Sequence, residues 1–146
     1  MPQVSAITIN DGQATPVATT FTPMGKDAKD IIWYEQTTPA VANSIGRCKI
    51  GIRVERNLAA QGDLTSAYAR VTITVLVPTA EAMSVSDGGF VPAPRLAYRE
   101  LARLAMELAE RSTTQERKNL RVFLQNLLGH AVATSVIDSL ETIYGA

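Results

Sequence analysis

The residues best suited to chemistry are cations that alternate along two predicted strands. Arg47, Lys49 and Arg53 occupy alternating positions of the first strand, and Arg70 occupies the polar side of the second. Because alternate residues of a strand point to the same side of a sheet, these cations would share one face. Such a face can contact phosphate groups, which supply affinity but little sequence information. Taken alone, the pattern is also typical of an ordinary solvated surface.

Groups that could catalyse a reaction or bind a metal are scarce. The sequence has one histidine, His130, and one cysteine, Cys48, which falls on the apolar side of the first strand. It contains no metal-ligand cluster, no phosphate-binding glycine motif and no spaced carboxylate pair. This inventory argues against an enzyme and predicts no catalytic residue, metal, cofactor or small-molecule substrate.

The composition indicates one folded domain. The 146 residues are 46% apolar and 19% charged, which is typical of a globular chain with a core. The formal net charge is zero, so a basic site must be a local patch. No apolar run has the length of a membrane span, and the first residues lack a signal-peptide pattern. We therefore expect a protein of the cytoplasm that does not contact a membrane.

Antiparallel strands would position the basic residues. Alternation predicts strands over 47–55 and 70–77, each with one apolar face. Before them, 4–10 and 15–22 are predicted to form a hairpin that turns at an Asp-Gly pair. Residues 30–36 predict a short strand, whose tryptophan is expected to pack between the sheet and the helices.

Two amphipathic helices are predicted at the C-terminal end. The first, 113–129, begins with a Thr113–Glu116 capping box and ends at Gly129, which suits a left-handed cap. The second covers 131–144. Each helix carries one apolar stripe at helical spacing: Leu120, Phe123, Leu124, Leu127 and Leu128, then Val132, Val136, Ile137, Leu140, Ile143 and Tyr144. Such stripes must be buried, either on this chain's sheet or on a partner's.

The segment between the strands and these helices is ambiguous. Residues 78–94 hold three prolines with Gly88 and Gly89 and predict a long loop. Residues 95–111 are rich in helix formers, and their leucines have helical spacing. On sequence pattern alone, a helix is favoured there.

The order of these elements resembles the coat proteins of the single-stranded RNA bacteriophages, the levivirus family. The matching strings are RCKIGIRVERN, ARVTITVLVPTA, PRLAYRE, TTQERKNLRVFLQNLLG and AVATSVIDSLETIYG. The resemblance implies an α+β fold with an N-terminal β-hairpin, a five-stranded antiparallel sheet and two C-terminal α-helices that pack on the sheet of a dimer partner. The single domain, 1–146, would divide into a hairpin at 1–23, a sheet at 30–109 with the loop at 78–94, and a helix pair at 113–145.

The resemblance conflicts with helix propensity at roughly 94–109, where the family has its last long strand. We predict a strand there, because tertiary context overrides propensity and the sheet edge needs filling. A helix over 103–111 is the alternative.

The function that the resemblance implies is structural. Homodimers would assemble into a T=3 icosahedral shell that packages single-stranded viral RNA, forming a virion in the cytoplasm of a bacterial host. The subunit would also bind a genomic RNA hairpin as a translational repressor. A second interpretation is a dimeric RNA-binding module that does not assemble.

The resemblance also assigns RNA contacts to the polar face of the sheet. Tyr98 would stack on a hairpin base, with Glu100 on the same strand face and Arg99 as a further phosphate contact. Lys49 and Gly51 stand where the family has small hydroxyl residues. The predicted RNA-binding set is Arg47, Lys49, Gly51, Arg53, Arg70, Thr72, Thr74, Tyr98 and Glu100.

Overall fold

The structure, a computed structural model, describes residues 4–57, 67–81 and 92–143. Within these residues the strands come first and the helices last, as predicted. The elements are β1 (Ile7–Asn10), β2 (Ala18–Lys26), β3 (Ile32–Thr38), a short 3₁₀ helix (Ser44–Gly46), β4 (Lys49–Asn57), β5 (Tyr68–Ala80), β6 (Leu96–Ala109), α1 (Thr114–Leu128) and α2 (Ala131–Asp138).

The six described strands form one antiparallel sheet in chain order, from β1 to β6. The N-terminal hairpin is part of this sheet, since β2 pairs with β3 through partners such as Phe21 and Gln36. The predicted fold class is therefore confirmed, with six strands in one sheet. The hairpin loop covers 11–17 and is therefore longer than a tight turn, and the Asp11 carboxylate accepts the backbone N–H of Val17 across it at 2.9 Å.

Strand register sorts the side chains of β4 and β5 onto two faces, because residues directly opposite in antiparallel strands lie on the same side of the sheet. The apolar face carries Ile50, Ile52, Val54, Val71, Ile73 and Val75. The basic face carries Lys49, Gly51, Arg53, Arg70, Thr72 and Thr74. A small core lies on the apolar face, where Phe21, Tyr34 and Ile50 are buried and Cys48 packs against them, as predicted.

β6 is an edge strand that pairs with β5 along its length. Its register runs from Leu96, opposite Ala80, to Ala109, opposite Tyr68. Helix-forming residues adopt the extended conformation here because the ladder with β5 outweighs intrinsic preferences of at most about 1 kcal/mol per residue. The predicted strand is correct through Ala109. In the described part of the chain, the outer edge of β6 has no partner strand.

β5 extends into the segment predicted as a loop. Pro78 pairs with Arg99, and the N–H of Glu81 donates to the carbonyl of Arg95 at 2.9 Å. The connection therefore begins later than predicted. Residues 82–91, with the glycine pair of the predicted loop, lie outside the described residues.

Both helices begin where predicted but end differently. The capping box is confirmed: Thr113 Oγ1 accepts the N–H of Glu116 at 3.2 Å, and the Glu116 carboxylate accepts the N–H of Thr113 at 2.7 Å. Gly129 follows α1 with a φ of −90°, so the predicted left-handed cap is wrong. α2 ends at Asp138, well before residue 144, and Leu140 then adopts the left-handed region with a φ of 55°.

The apolar stripes of the helices are exposed in the single chain. No residue of α1 or α2 is buried, and Phe123 is 69% exposed. The sheet of the same chain therefore does not cover the stripes. Within the described residues no single helix is long and apolar enough to cross a membrane, and α1 with α2 reaches that length only as a pair bent by 60°.

The capping box makes a testable contribution to stability in acid. The N–H and hydroxyl of Thr113 donate to the Glu116 carboxylate and lower its pKa below the ordinary value of 4.5. Because the folded pKa lies below the unfolded one, this stabilisation is complete above the unfolded pKa and is lost as the pH falls through the folded pKa. We expect Glu116→Gln to flatten the acid limb of stability, measured as urea midpoints from about pH 7 to 3.

Glu141→Gln is the matched control, because Glu141 lies beyond α2 and outside the capping box. It should leave the acid limb as in the wild type. Equal acid limbs for wild type and Glu116→Gln would contradict the assignment.

Candidate nucleic-acid interface

Six of the predicted RNA-contact residues lie together on the basic face. Gly51 is opposite Thr74, and Arg53 is opposite Thr72, so β4 and β5 present their polar side chains to the same groove. The groove has a volume of about 520 Å³. Its lining combines Arg53, Arg70, Thr72 and Thr74 with Glu55, Arg103 and Glu107. The groove therefore offers cations and hydroxyl groups side by side.

Tyr98 and Glu100 lie on the opposite side of the sheet. Tyr98 is opposite Thr79 and Glu100 is opposite Val77, both of which point to the apolar face. The expectation that these two residues join the basic residues is therefore wrong. The physical reason is the period of two in a strand, because a shift of one position reverses the face of every side chain.

Two arginines of β6 take the places that Tyr98 and Glu100 were expected to fill. Arg99 is opposite Pro78 and Arg103 is opposite Thr74, which puts both on the basic face. Arg99 was among the expected phosphate contacts, whereas Arg103 was missed. Its signal was available, since Arg103 lies four positions after Arg99 and shares its face once the segment is recognised as a strand.

One carboxylate holds the first two cations of the set. Arg47 Nη1 lies 3.1 Å from Glu35 Oε2, and Lys49 Nζ lies 3.4 Å from Glu35 Oε1. Glu35 is on β3, opposite Lys49, and its side chain is only 15% exposed. The pair of contacts fixes Arg47 beside the basic face, although Arg47 precedes β4 itself.

The next two arginines are also paired with carboxylates. Arg53 Nη2 lies 2.8 Å from Glu55 Oε1, and Arg70 Nε donates to Glu107 Oε1 at 3.1 Å. The Glu107 hydrogen bond and charge raise the pKa of Arg70 above its ordinary value. Arg53 Nε is enclosed and has no hydrogen-bond partner among the described residues. These pairs position the guanidinium groups and neutralise part of their charge.

The basic face nevertheless keeps an excess of positive charge. Among the described residues, Arg47 and five cations of β4 to β6 lie on this side of the sheet, together with three carboxylates of β3 to β6. The cations are Arg47, Lys49, Arg53, Arg70, Arg99 and Arg103, and the carboxylates are Glu35, Glu55 and Glu107. The local excess of three charges exists within a chain of zero formal net charge.

Trp33 lies on the basic face and covers Gly51. The two residues are opposite each other in β3 and β4, and a Cβ on Gly51 would lie 2.9 Å from Cζ3 of the indole. The expectation that this tryptophan packs between the sheet and the helices is wrong. Its side of the strand is set by register with Gly51, whose missing side chain makes room for the ring.

Asp27 fixes the indole from the side. Trp33 Nε1 donates to Asp27 Oδ2 at 2.9 Å, while the other carboxylate oxygen accepts the N–H groups of Lys29 at 2.8 Å and Ile31 at 2.9 Å. The Trp33 hydrogen bond, followed by that of Ile31, lowers the pKa of Asp27. The polar atom of the indole is therefore satisfied within the chain.

A family model described as levivirus coat protein matches residues 2–144. The chain belongs to the levivirus coat protein family. This is a family of structural capsid proteins and not of enzymes, and membership makes the chain a virion component that associates with itself in a shell. The suspected resemblance is thus confirmed.

Solved structures of phage particles share the fold of this coat protein. The virus-like particle of bacteriophage ESE058 is 32% identical with a TM-score of 0.84, covering 98% of this chain and 100% of that one. The virus-like particle of bacteriophage NT-214 is 25% identical with a TM-score of 0.78, covering 98% and 100%. The bacteriophage GA protein capsid, 16% identical with a TM-score of 0.69 over 97% and 98%, shares the fold alone. No curated protein matches the chain.

The close approach of Trp33 to Gly51 predicts the effect of a single methyl group. Gly51→Ala would set the new Cβ 2.9 Å from the indole and 3.0 Å from Ile31 Cγ2, so the ring must move. We expect a loss of about 1–3 kcal/mol in the free energy of unfolding, as for an overpacked site. Urea unfolding at a fixed protein concentration would measure it.

Gly12→Ala is the control, because a Cβ on Gly12 meets nothing within 4 Å. Its unfolding should stay close to the wild type. If the two variants lost equal stability, the tight contact between Trp33 and Gly51 would be refuted.

Proposed function

We propose that this coat protein forms an interlocked homodimer that closes into an icosahedral shell around single-stranded RNA. The observation that supports it best is a pair of complementary surfaces that the single chain leaves uncovered. One is the apolar stripe of the helices, with Phe123 69% exposed, and the other is the apolar face, with Val54 55% exposed. A second copy would cover both.

The position of α1 explains why a partner would receive the stripe. α1 begins at Thr114, only a few residues after the edge strand β6 ends at Ala109. Arg117 Nη1 donates to Ser112 Oγ at 3.0 Å, which holds this short connection. The helices therefore leave the sheet at the edge formed by the 14-residue β6, whose outer side has no partner strand among the described residues.

Pairing of two β6 edges would satisfy these backbone groups and bring each helix pair over the other chain's sheet. The apolar stripes would then cover residues such as Val54 and Val71 of the partner. Obligate dimers bury apolar surface in this way, like a domain core divided between two chains. Each chain would place its helices on the partner's sheet in the same way, as twofold symmetry requires.

RNA would occupy the other side of the sheet. If partner helices cover the apolar face, the basic faces of both chains stay open on the opposite side and join across the β6 edges. An excess of cations there suits the phosphate backbone of packaged RNA. The basic face would line the interior of a T=3 shell that assembles in the cytoplasm of a bacterial host.

Binding of a genomic RNA hairpin, with repression of translation, is part of the same proposal. The set of contacts differs from the one expected, because Tyr98 and Glu100 point away from Lys49, Arg53 and Arg70. A hairpin on the basic face would meet Arg99 and Arg103 of β6 instead. Sequence preference would then come from the hydroxyl groups of β5 and from the arginines.

Electron microscopy of the chain expressed alone in a bacterium tests the assembly. We expect uniform round particles that contain host RNA. Phe123→Gln should abolish them, since loss of a buried Phe contact typically costs about 3–5 kcal/mol and the polar amide would be buried in the dimer.

Lys118→Gln is the matched control for this variant. Lys118 is exposed and lies two residues before Leu120, on the side of α1 away from the stripe. It should assemble like the wild type. Free wild-type dimers that bind RNA but never form particles would favour the second interpretation, a dimeric RNA-binding module.

The RNA content of particles tests the basic face separately. Lys49→Glu and Arg53→Glu, made singly, should yield particles with less RNA, which is released at lower salt because phosphate contacts are lost. Lys118→Glu changes the charge equally but lies on α1. The ratio of absorbance at 260 and 280 nm would report RNA per particle. Equal RNA in all three variants would refute the role of the basic face.

A further inference from the structure

A cavity opens beside Trp33 at one end of the basic face. Its volume is about 430 Å³, within the roughly 300–1,000 Å³ range of ligand pockets. Its lining joins one aromatic ring, two lysines, one aspartate and apolar groups: Met24, Gly25, Lys26, Asp27, Trp33, Lys49 and Leu76. This cavity was not among the sites expected from the sequence.

The indole is held as a fixed wall of this cavity. The backbone of Gly51 lies under one part of the ring, and the hydrogen bond from Nε1 to Asp27 Oδ2 at 2.9 Å fixes its edge. Since its N–H is already satisfied, the ring has only apolar and π surface left to offer. The core of the described residues lies on the other face of the sheet, and Trp33 is not part of it.

Two ammonium groups lie at the rim of the cavity. Lys49 Nζ lies 3.4 Å from Glu35, a carboxylate that also serves Arg47, and Lys26 Nζ pairs at 2.8 Å with Asp30 on an exposed surface. An exposed pair such as Lys26–Asp30 contributes little to stability, so Lys26 can turn to another anion at small cost. The cavity thus combines an aromatic wall with ammonium groups at its rim.

We propose that this cavity binds an unpaired base of the packaged RNA, stacked against Trp33, with the adjoining phosphate at Lys49 or Lys26. Base–aromatic stacking tolerates any base, because every base has a π face. The site would therefore hold single-stranded RNA without a preference for sequence. The proposal rests on the proposed function, since it requires RNA at the basic face.

The single tryptophan of the chain permits a direct test. A labelled oligouridylate of roughly ten nucleotides, a length suited to single-strand sites, would be titrated into RNA-free dimers of the full chain. Anisotropy of the label reports binding, and Trp33 fluorescence reports stacking. We expect the two signals to saturate together, whereas polyphosphate of equal charge should bind without quenching Trp33.

Trp33→Leu should weaken binding of the oligouridylate by roughly 5- to 150-fold, the range for loss of one base–aromatic stack. Tyr98→Leu is the matched control, because it removes an aromatic ring that is 59% exposed on the opposite face, and its affinity should be unchanged. The wild-type quenching does not depend on how well either variant folds.

The outcomes separate the two proposals. Anisotropy that reports binding without quenching of Trp33, or equal quenching by polyphosphate, would overturn the stacking site and leave RNA packaging intact. Absence of binding to any oligonucleotide would overturn both.

Discussion

The pairing of β5 with β6 is the interaction on which the rest of the structure depends. It holds a helix-prone segment in an extended conformation from Leu96 to Ala109. Among the described strands it leaves β6 at the edge of the sheet, and α1 starts a few residues beyond β6 without being buried on the sheet of its own chain. The exposed stripes of the helices are a direct consequence. In the proposed dimer, a second chain would cover these exposed apolar stripes.

The register of β4 to β6 gives the two faces of the sheet different surface chemistry. Each residue of β4 to β6 faces either the apolar side, where partners would be recognised by burial, or the basic side, where phosphate would be recognised by charge. Since successive residues of a strand point to opposite faces, one register determines the side chains of both surfaces. A slip of one position would put Arg99 and Arg103 among valines and Tyr98 among the cations.

Elements with a strong period could be predicted from the sequence. The alternation in β4 and β5 and the stripe with its capping box in α1 gave the correct element types, because burial of one face leaves a regular trace. β6 could not be predicted from propensity, since its partner strand decides its conformation. Tyr98 was assigned to the RNA contacts because a short sequence around it resembles the family, and such a resemblance does not determine the pairing register of β6 with β5. The place of Trp33 depends on Gly51, a residue from another strand.

The carboxylates of the basic face have two opposing effects, because they position the cations and also neutralise part of their charge. Glu35, Glu55 and Glu107 each pair with one or two of the six cations, so four of them have a carboxylate partner within the chain itself. Rigid cations lose less conformational entropy on binding, but each paired carboxylate also repels phosphate. In the proposed shell, the basic face of every subunit would contact a long RNA, so contacts that are weak singly would add up over many subunits. Partial neutralisation by the three carboxylates would also reduce the repulsion between copies of this face in the proposed shell, which a fully unpaired set of arginines would increase.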